Sequence, residues 1–248
     1  MGGTIGRSRI HSILRCRGVC TSGPSMSSPI ILAVDTTDVH IAADWVRVTQ
    51  EHIGVIKLGL EFYLARGAEG VRTVRASAPN QKLFLDLKLH DIPNTVAGAV
   101  RAVADIQPDF LTVHASGGPK MIESAAKALP DGAITAVTLL TSLSASDIAL
   151  MGISGNSQEI VIKWAKLAIE AGAKAIVTSP QEVAALRSTL PKEIVLITPG
   201  VRPAGADAGD QARVATPTEA LSWGADYVVI GRPITSGATL EEIAKNAE

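Results

Sequence analysis

Residues 82–105 read KLFLDLKLHDIPNTVAGAVRAVAD, and this stretch decides the architecture expected of the chain. Residues 83–87 form a short aliphatic run of strand type. Residues 95–105 are Ala-rich, with apolar positions recurring every three or four residues, which predicts a helix. On an extended chain Asp86 and Lys88, two apart, project from one face, while Leu85 and Leu87 project from the other toward that helix. Asp91, Ile92 and Pro93 fall in the loop between. The stretch is therefore one strand–loop–helix unit with charge at the end of its strand.

The same unit recurs on both sides. Strand-like runs occupy 30–34, 55–58, 83–87, 110–114, 134–138, 175–178, 194–198 and 227–231, separated by helical stretches such as 158–172. Alternation of this kind predicts a parallel sheet built of βα units. Eight units suit a closed (β/α)8 TIM barrel better than an open doubly wound sheet, and ILAVDTTD after the first run lacks the glycine fingerprint of a dinucleotide fold. In such barrels chemistry sits at the C-terminal ends of the strands.

Length and composition agree with that choice. A chain of 248 residues fits one barrel domain, assigned to 29–248. With 46% hydrophobic but only 3% aromatic residues, its core is built from Ala, Val, Ile and Leu. Residues 1–28 are expected to be a basic leader, disordered or non-native. It holds Arg7, Arg9, Arg15 and Arg17, and reads either as an upstream start with Met26 opening the native chain or as an Arg-rich transit peptide. Without those four arginines the balance is 19 basic against 24 acidic residues, a net charge of −5. That excess argues against broad nucleic-acid binding. Both cysteines, Cys16 and Cys20, lie in the leader, so a cysteine-free domain suits a reducing cytoplasm. No apolar run approaches the roughly 20 residues of a membrane span.

The strand ends carry the chemistry. Asp35 ends the first run, Lys57 lies in the second, Asp86 and Lys88 end the third, His114 ends the fourth, and Gly231 with Arg232 close the eighth. Full charges here are costly unless they compensate one another. Taken singly, Asp35 has the alternative of capping the first helix and His114 of being a hydrogen-bonded rim residue. A lysine flanked by Asp86 and Asp91 is held cationic, hence a proton donor and not a nucleophilic amine. The eighth run leads into GRPIT, a glycine for close approach, an arginine for an oxyanion and a proline to open a helix. The seventh leads into TPGVRPAGADAGDQARVATP, a long loop holding Arg202 and Gln211, expected to grip a phosphate. His90 and His114 with Asp86 and Asp91 offer a divalent-metal alternative, but Lys88 among them would repel the ion. No Ser–His–Asp elbow and no P-loop is present.

In order along the chain, LAVD, IKLGLEFY, FLDLKLHDIPNT, VHASGG, VTLLTS, ITPGVRP with GDQARVATP, and VVIGRPIT resemble the orotidine 5'-phosphate decarboxylase family, in its bacterial single-domain form, from Pro29 to near the C-terminus. The resemblance implies decarboxylation of orotidine 5'-phosphate to UMP, the last step of de novo pyrimidine nucleotide synthesis, without metal or organic cofactor. It implies that Asp35 and Lys57 hold the ribose hydroxyls, that Asp86 lies against the substrate carboxylate, and that Lys88 delivers the proton. Thr141 takes the pyrimidine-contacting position. Arg202, Gln211, Gly231 and Arg232 close over the 5'-phosphate. A cytoplasmic homodimer is implied, with Asp91 and Thr95 reaching into the neighbouring site. The only departure from the family pattern is the leader.

Two rivals stand beside that reading. Related barrels acting on 3-keto-L-gulonate 6-phosphate or making hexulose phosphates share the Asp-x-Lys-x-x-Asp block, but place a magnesium-binding carboxylate where this chain has Lys57. A catalytically idle, nucleotide-binding barrel is the other, and it leaves the proton donor without a purpose.

Overall fold

The computed structural model describes residues 28–201, 215–237, 239 and 241–242. Eight strands alternate with helices: β1 (Ile30–Ala33), α1 (Val39–Thr49), β2 (Val55–Gly59), α2 (Leu60–Ala76), β3 (Lys82–Leu89), α3 (Pro93–Ala104), β4 (Phe110–His114), α4 (Pro119–Ala128), β5 (Ala133–Val137), α5 (Ala145–Leu150), α6 (Ser157–Glu170), β6 (Ala175–Val177), α7 (Val183–Thr189), β7 (Val195–Thr198), α8 (Pro217–Ser222), β8 (Tyr227–Ile230) and α9 (Arg232–Thr235). Every neighbouring pair is parallel, and β8 returns to β1, closing the barrel in strand order. The expected (β/α)8 TIM barrel is present, with each of the eight expected runs on a strand. Residues 1–27 of the expected 1–28 leader lie outside the described residues.

Period-two alternation explains how short strands bury both faces. Leu32, Ile56, Leu58, Leu85, Leu111 and Ile134 point outward and join the aliphatic layer beneath the helices. Ile31, Val55, Phe84, Phe110, Ile197 and Val229 point inward and fill the barrel. Phe110 packs edge-on against Phe84 and Tyr227, each at 5.9 Å between ring centroids. Three of the eight aromatic side chains, Phe84, Phe110 and Tyr227, thus supply volume inside the barrel. Above this plug the inward positions turn polar, with Lys57 on β2, Asp86 on β3 and Thr112 on β4.

Helix entry follows local chemistry. The Asp38 carboxylate accepts from the backbone N–H groups of His40 and Ile41 at 2.8 and 3.1 Å, so Asp38 caps α1. Asp35, the cap considered from sequence, does not serve in that role and is left to face the barrel mouth. Pro93 opens α3 and Pro233 lies in the first turn of α9, where a missing N–H costs nothing. No helix among the described residues is long and apolar enough to cross a membrane.

Candidate active site

Four charges of alternating sign run across the C-terminal mouth. Asp35 Oδ1 lies 3.7 Å from Lys57 Nζ, which lies 3.5 Å from Asp86 Oδ2. Lys88 Nζ then donates to both Asp86 oxygens at 2.8 Å. The Lys57 and Asp86 side chains are 13% and 12% exposed, so each charge depends on its neighbours for compensation. Burial pushes the Asp86 carboxyl upward, but Lys57, Lys88 and the hydrogen bonds from Lys88 and Thr112 outweigh it, and the net shift is downward. Asp86 is therefore an anion at neutral pH.

The backbone supporting Lys88 is irregular. Register passes from Leu85 opposite Leu111 to Leu89 opposite Val113, so Asp86, Leu87 and Lys88 together face the single residue Thr112. Lys88 has φ of 49°, the left-handed region, at a cost of about 1–2 kcal/mol for a residue with a side chain. Bulges of this kind aim side chains at active sites. The expected shared face of Asp86 and Lys88 is thus reached through a bulge and not through a straight strand.

These charges line a cavity of about 340 Å³. Its opposite wall is apolar, formed by Val137, Leu139, Leu140, Val177 and Val229, with Thr141 beside them and Gly231 and Arg232 at the rim. A side chain at position 231 would bring a Cβ within 3.3 Å of both Ala33 Cβ and Asp35 Oδ2, so glycine keeps the β1–β8 edge of the cavity open. A flat ligand with a polar edge and a charged tail fits such a lining.

Of the residues singled out in the sequence, Asp35, Lys57, Asp86, Lys88, Thr141, Gly231 and Arg232 meet at this cavity. Asp91 and Thr95 are exposed on the β3–α3 loop and the start of α3 and do not line it. Asp91 accepts from the N–H of Ile92 at 2.6 Å, so within one chain Lys88 is held by Asp86 and not between two carboxylates. Arg202 and Gln211 lie outside the described residues. The rings of His90 and His114 lie 5.4 Å apart between centroids, tilted by 44° to one another. Burial, His90 and Lys88 lower the His114 pKa against the opposing pull of Asp86. No group of three His, Cys, Asp or Glu side chains able to hold a metal occurs among the described residues. Sequence reasoning passed over Thr112, whose signal was a hydroxyl at an inward position of an otherwise aliphatic strand. It also passed over the apolar wall, which looks like ordinary core in the sequence.

Comparison with known proteins identifies the family of the chain. Residues 28–247 match the model of the orotidine 5'-phosphate decarboxylase / HUMPS family. An orotidine 5'-phosphate decarboxylase of Thermobifida fusca is 53% identical over 210 residues, covering 85% of this chain and 90% of its own length. Its counterpart from Frankia casuarinae is 44% identical, covering 86% of this chain and 83% of its own. The crystal structure of orotidine 5'-phosphate decarboxylase from Lactobacillus acidophilus superposes with a TM-score of 0.75 at 31% identity, over 89% of this chain and 97% of the other. On the family match and these relatives, the chain belongs to the orotidine 5'-phosphate decarboxylase / HUMPS family.

Proposed function

We propose that this protein decarboxylates orotidine 5'-phosphate to UMP, the last step of de novo pyrimidine nucleotide synthesis, with no metal or organic cofactor. The observation that carries the reading is the row Asp35–Lys57–Asp86–Lys88, a cation–anion alternation ending in an ammonium group at the cavity wall. Loss of carbon dioxide from C6 leaves a carbanion that the ring carbonyls do not delocalise in the usual way. Its stabilisation falls to electrostatics in a site partly closed to water. Lys88, aimed by Asp86, supplies positive charge where the carbanion forms and then its proton, giving the C6–H of UMP. Asp86 lies against the departing carboxylate. Lys57 favours this reading over the magnesium-dependent rival, because an ammonium group replaces the metal-binding carboxylate of those enzymes.

The remaining roles complete the proposal. Asp35 and Lys57 hold the ribose hydroxyls, and Thr141 contacts the pyrimidine. Gly231 and Arg232, with Arg202 and Gln211 assigned by motif, hold the 5'-phosphate. Binding energy at that remote group helps close the site over the reacting carbon. The protein acts as a cytoplasmic homodimer in which Asp91 and Thr95 reach the neighbouring site. The exposed apolar residues Leu60 and Leu64, in the first two turns of α2, and Ile92, at the start of α3, lie on the helices that follow the adjacent strands β2 and β3 and support such an interface. Residues 29–248 form the one catalytic domain, which binds neither nucleic acid nor membrane.

Incubation of purified protein with orotidine 5'-phosphate, with the product separated by chromatography and identified by mass, tests the reading. UMP formed one-to-one with carbon dioxide supports it. Substrate recovered unchanged rejects it.

A further inference from the structure

Thr112 is fully buried on β4 and sits behind the charged row, since it is not among the residues lining the cavity. Its hydroxyl makes two bonds in opposite senses. It accepts the backbone N–H of Lys88 at 2.8 Å and donates to Asp86 Oδ1 at 3.0 Å. The first bond falls at the irregularity where three residues of β3 face one of β4. A Thr side chain there stands in for a ladder carbonyl, satisfying an amide that the bulge would otherwise leave without a partner. The second bond fixes one oxygen of the carboxylate whose two oxygens both receive Lys88 Nζ.

Lys88 is thus tied to one hydroxyl twice, through its backbone directly and through its side chain by way of Asp86. Its left-handed backbone would relax toward an extended conformation if the amide were released. That relaxation would redirect the ammonium group. We propose that Thr112 is a positioning residue for catalysis, whose hydroxyl locks the bulge of β3 and the Asp86 carboxylate together so that Lys88 points into the cavity. Its catalytic consequence rests on the decarboxylase reading above. The lock itself does not.

The test uses Thr112→Val and Thr112→Ala, which remove the hydroxyl, and Thr112→Ser, which keeps it. Folding is checked by circular dichroism. Kinetics with orotidine 5'-phosphate are expected to show kcat lower by about ten- to a hundredfold in the hydroxyl-free variants, with KM changed less than about threefold. The acid limb of their kcat/KM profile moves to higher pH, because Asp86 loses a bond that favours its anion. Thr112→Ser restores both. A folded hydroxyl-free variant with unchanged kcat and pH profile, or a Ser variant as impaired as Val, overturns the proposal.

Amide hydrogen exchange at Lys88 scores the lock without any turnover. It should be at least about tenfold faster in Thr112→Val or Thr112→Ala than in the unmodified protein and in Thr112→Ser. Unmodified protein that leaves orotidine 5'-phosphate intact rejects the substrate reading, while unchanged Lys88 exchange rejects the lock. If neither hydroxyl-free variant folds, exchange in the unmodified protein decides. Protection of Lys88 well beyond that of the exposed Asn94 amide supports the lock, and equal exchange overturns it.

Discussion

The ammonium group of Lys88 lies 2.8 Å from each carboxylate oxygen of Asp86, while Lys57 approaches the same carboxylate from 3.5 Å. Asp86 is the pivot of the site, since among the described residues it is the buried charge touched by both cations. Within the row itself two ammonium groups are matched by two carboxylates, Asp35 balancing the second of them.

Replacing Lys57 by alanine exposes the electrostatic strain on Asp86. Because the folded pKa of Asp86 is lowered, its stabilising contribution is complete above the ordinary carboxyl value of 3.8 and is lost as pH falls through the lowered folded value. Lys57→Ala should therefore destabilise the protein by about 1–3 kcal/mol near neutral pH. The gap to the unmodified protein should shrink on strong acidification. Thermal melts across pH measure this, and a gap independent of pH would rule out the coupling.

His114 gives a second control, at higher pH. Burial holds its folded pKa below the ordinary imidazole value of 6.5, so below that pH the unfolded chain binds a proton the folded chain does not. Stability then declines as pH drops from 6.5 toward the folded value. In His114→Asn the decline should be shallower by up to about one proton taken up on unfolding. Urea unfolding between pH 5 and 7 reads the slope directly, and identical slopes would show that His114 titrates alike in both states.

Ile92 is 66% exposed next to Asp91, and Leu60 and Leu64 are exposed on the neighbouring unit. In the proposed homodimer Ile92→Asp places a charge in the interface. Sedimentation should show the unmodified protein as a dimer and the variant as a monomer with kcat lower by at least about tenfold. A fully active monomeric unmodified protein would contradict a shared site.

The metal-independent chemistry predicts that EDTA leaves turnover unchanged. Activity lost on chelation and restored by magnesium would instead favour the enediolate chemistry of the rival barrels, despite Lys57.

Much of the fold and of the charged row is legible in the sequence. Short β-branched runs such as ITAV and YVVI, bounded by Ala-rich helices, locate every strand to within two residues, because a parallel barrel strand buried on both faces leaves little freedom in composition. The charged strand ends were legible because Lys57, Asp86 and Lys88 interrupt aliphatic runs. The bulge at Lys88 was not, since a spacing of two is the same in a straight strand and in this kinked one. The cap of α1 was not either, because Asp35 and Asp38 are equally good acceptors and only the path of the chain decides between them. Asp91 was placed beside Lys88 by proximity in sequence, whereas the loop carries it outward to the surface.

The most direct test follows the loss of orotidine 5'-phosphate absorbance with the unmodified protein and with Lys88→Ala. The account predicts rapid loss with the former and a rate lower by at least about a thousandfold in a folded Lys88→Ala variant. Comparable rates in the two proteins would contradict the assignment of Lys88 as the proton donor.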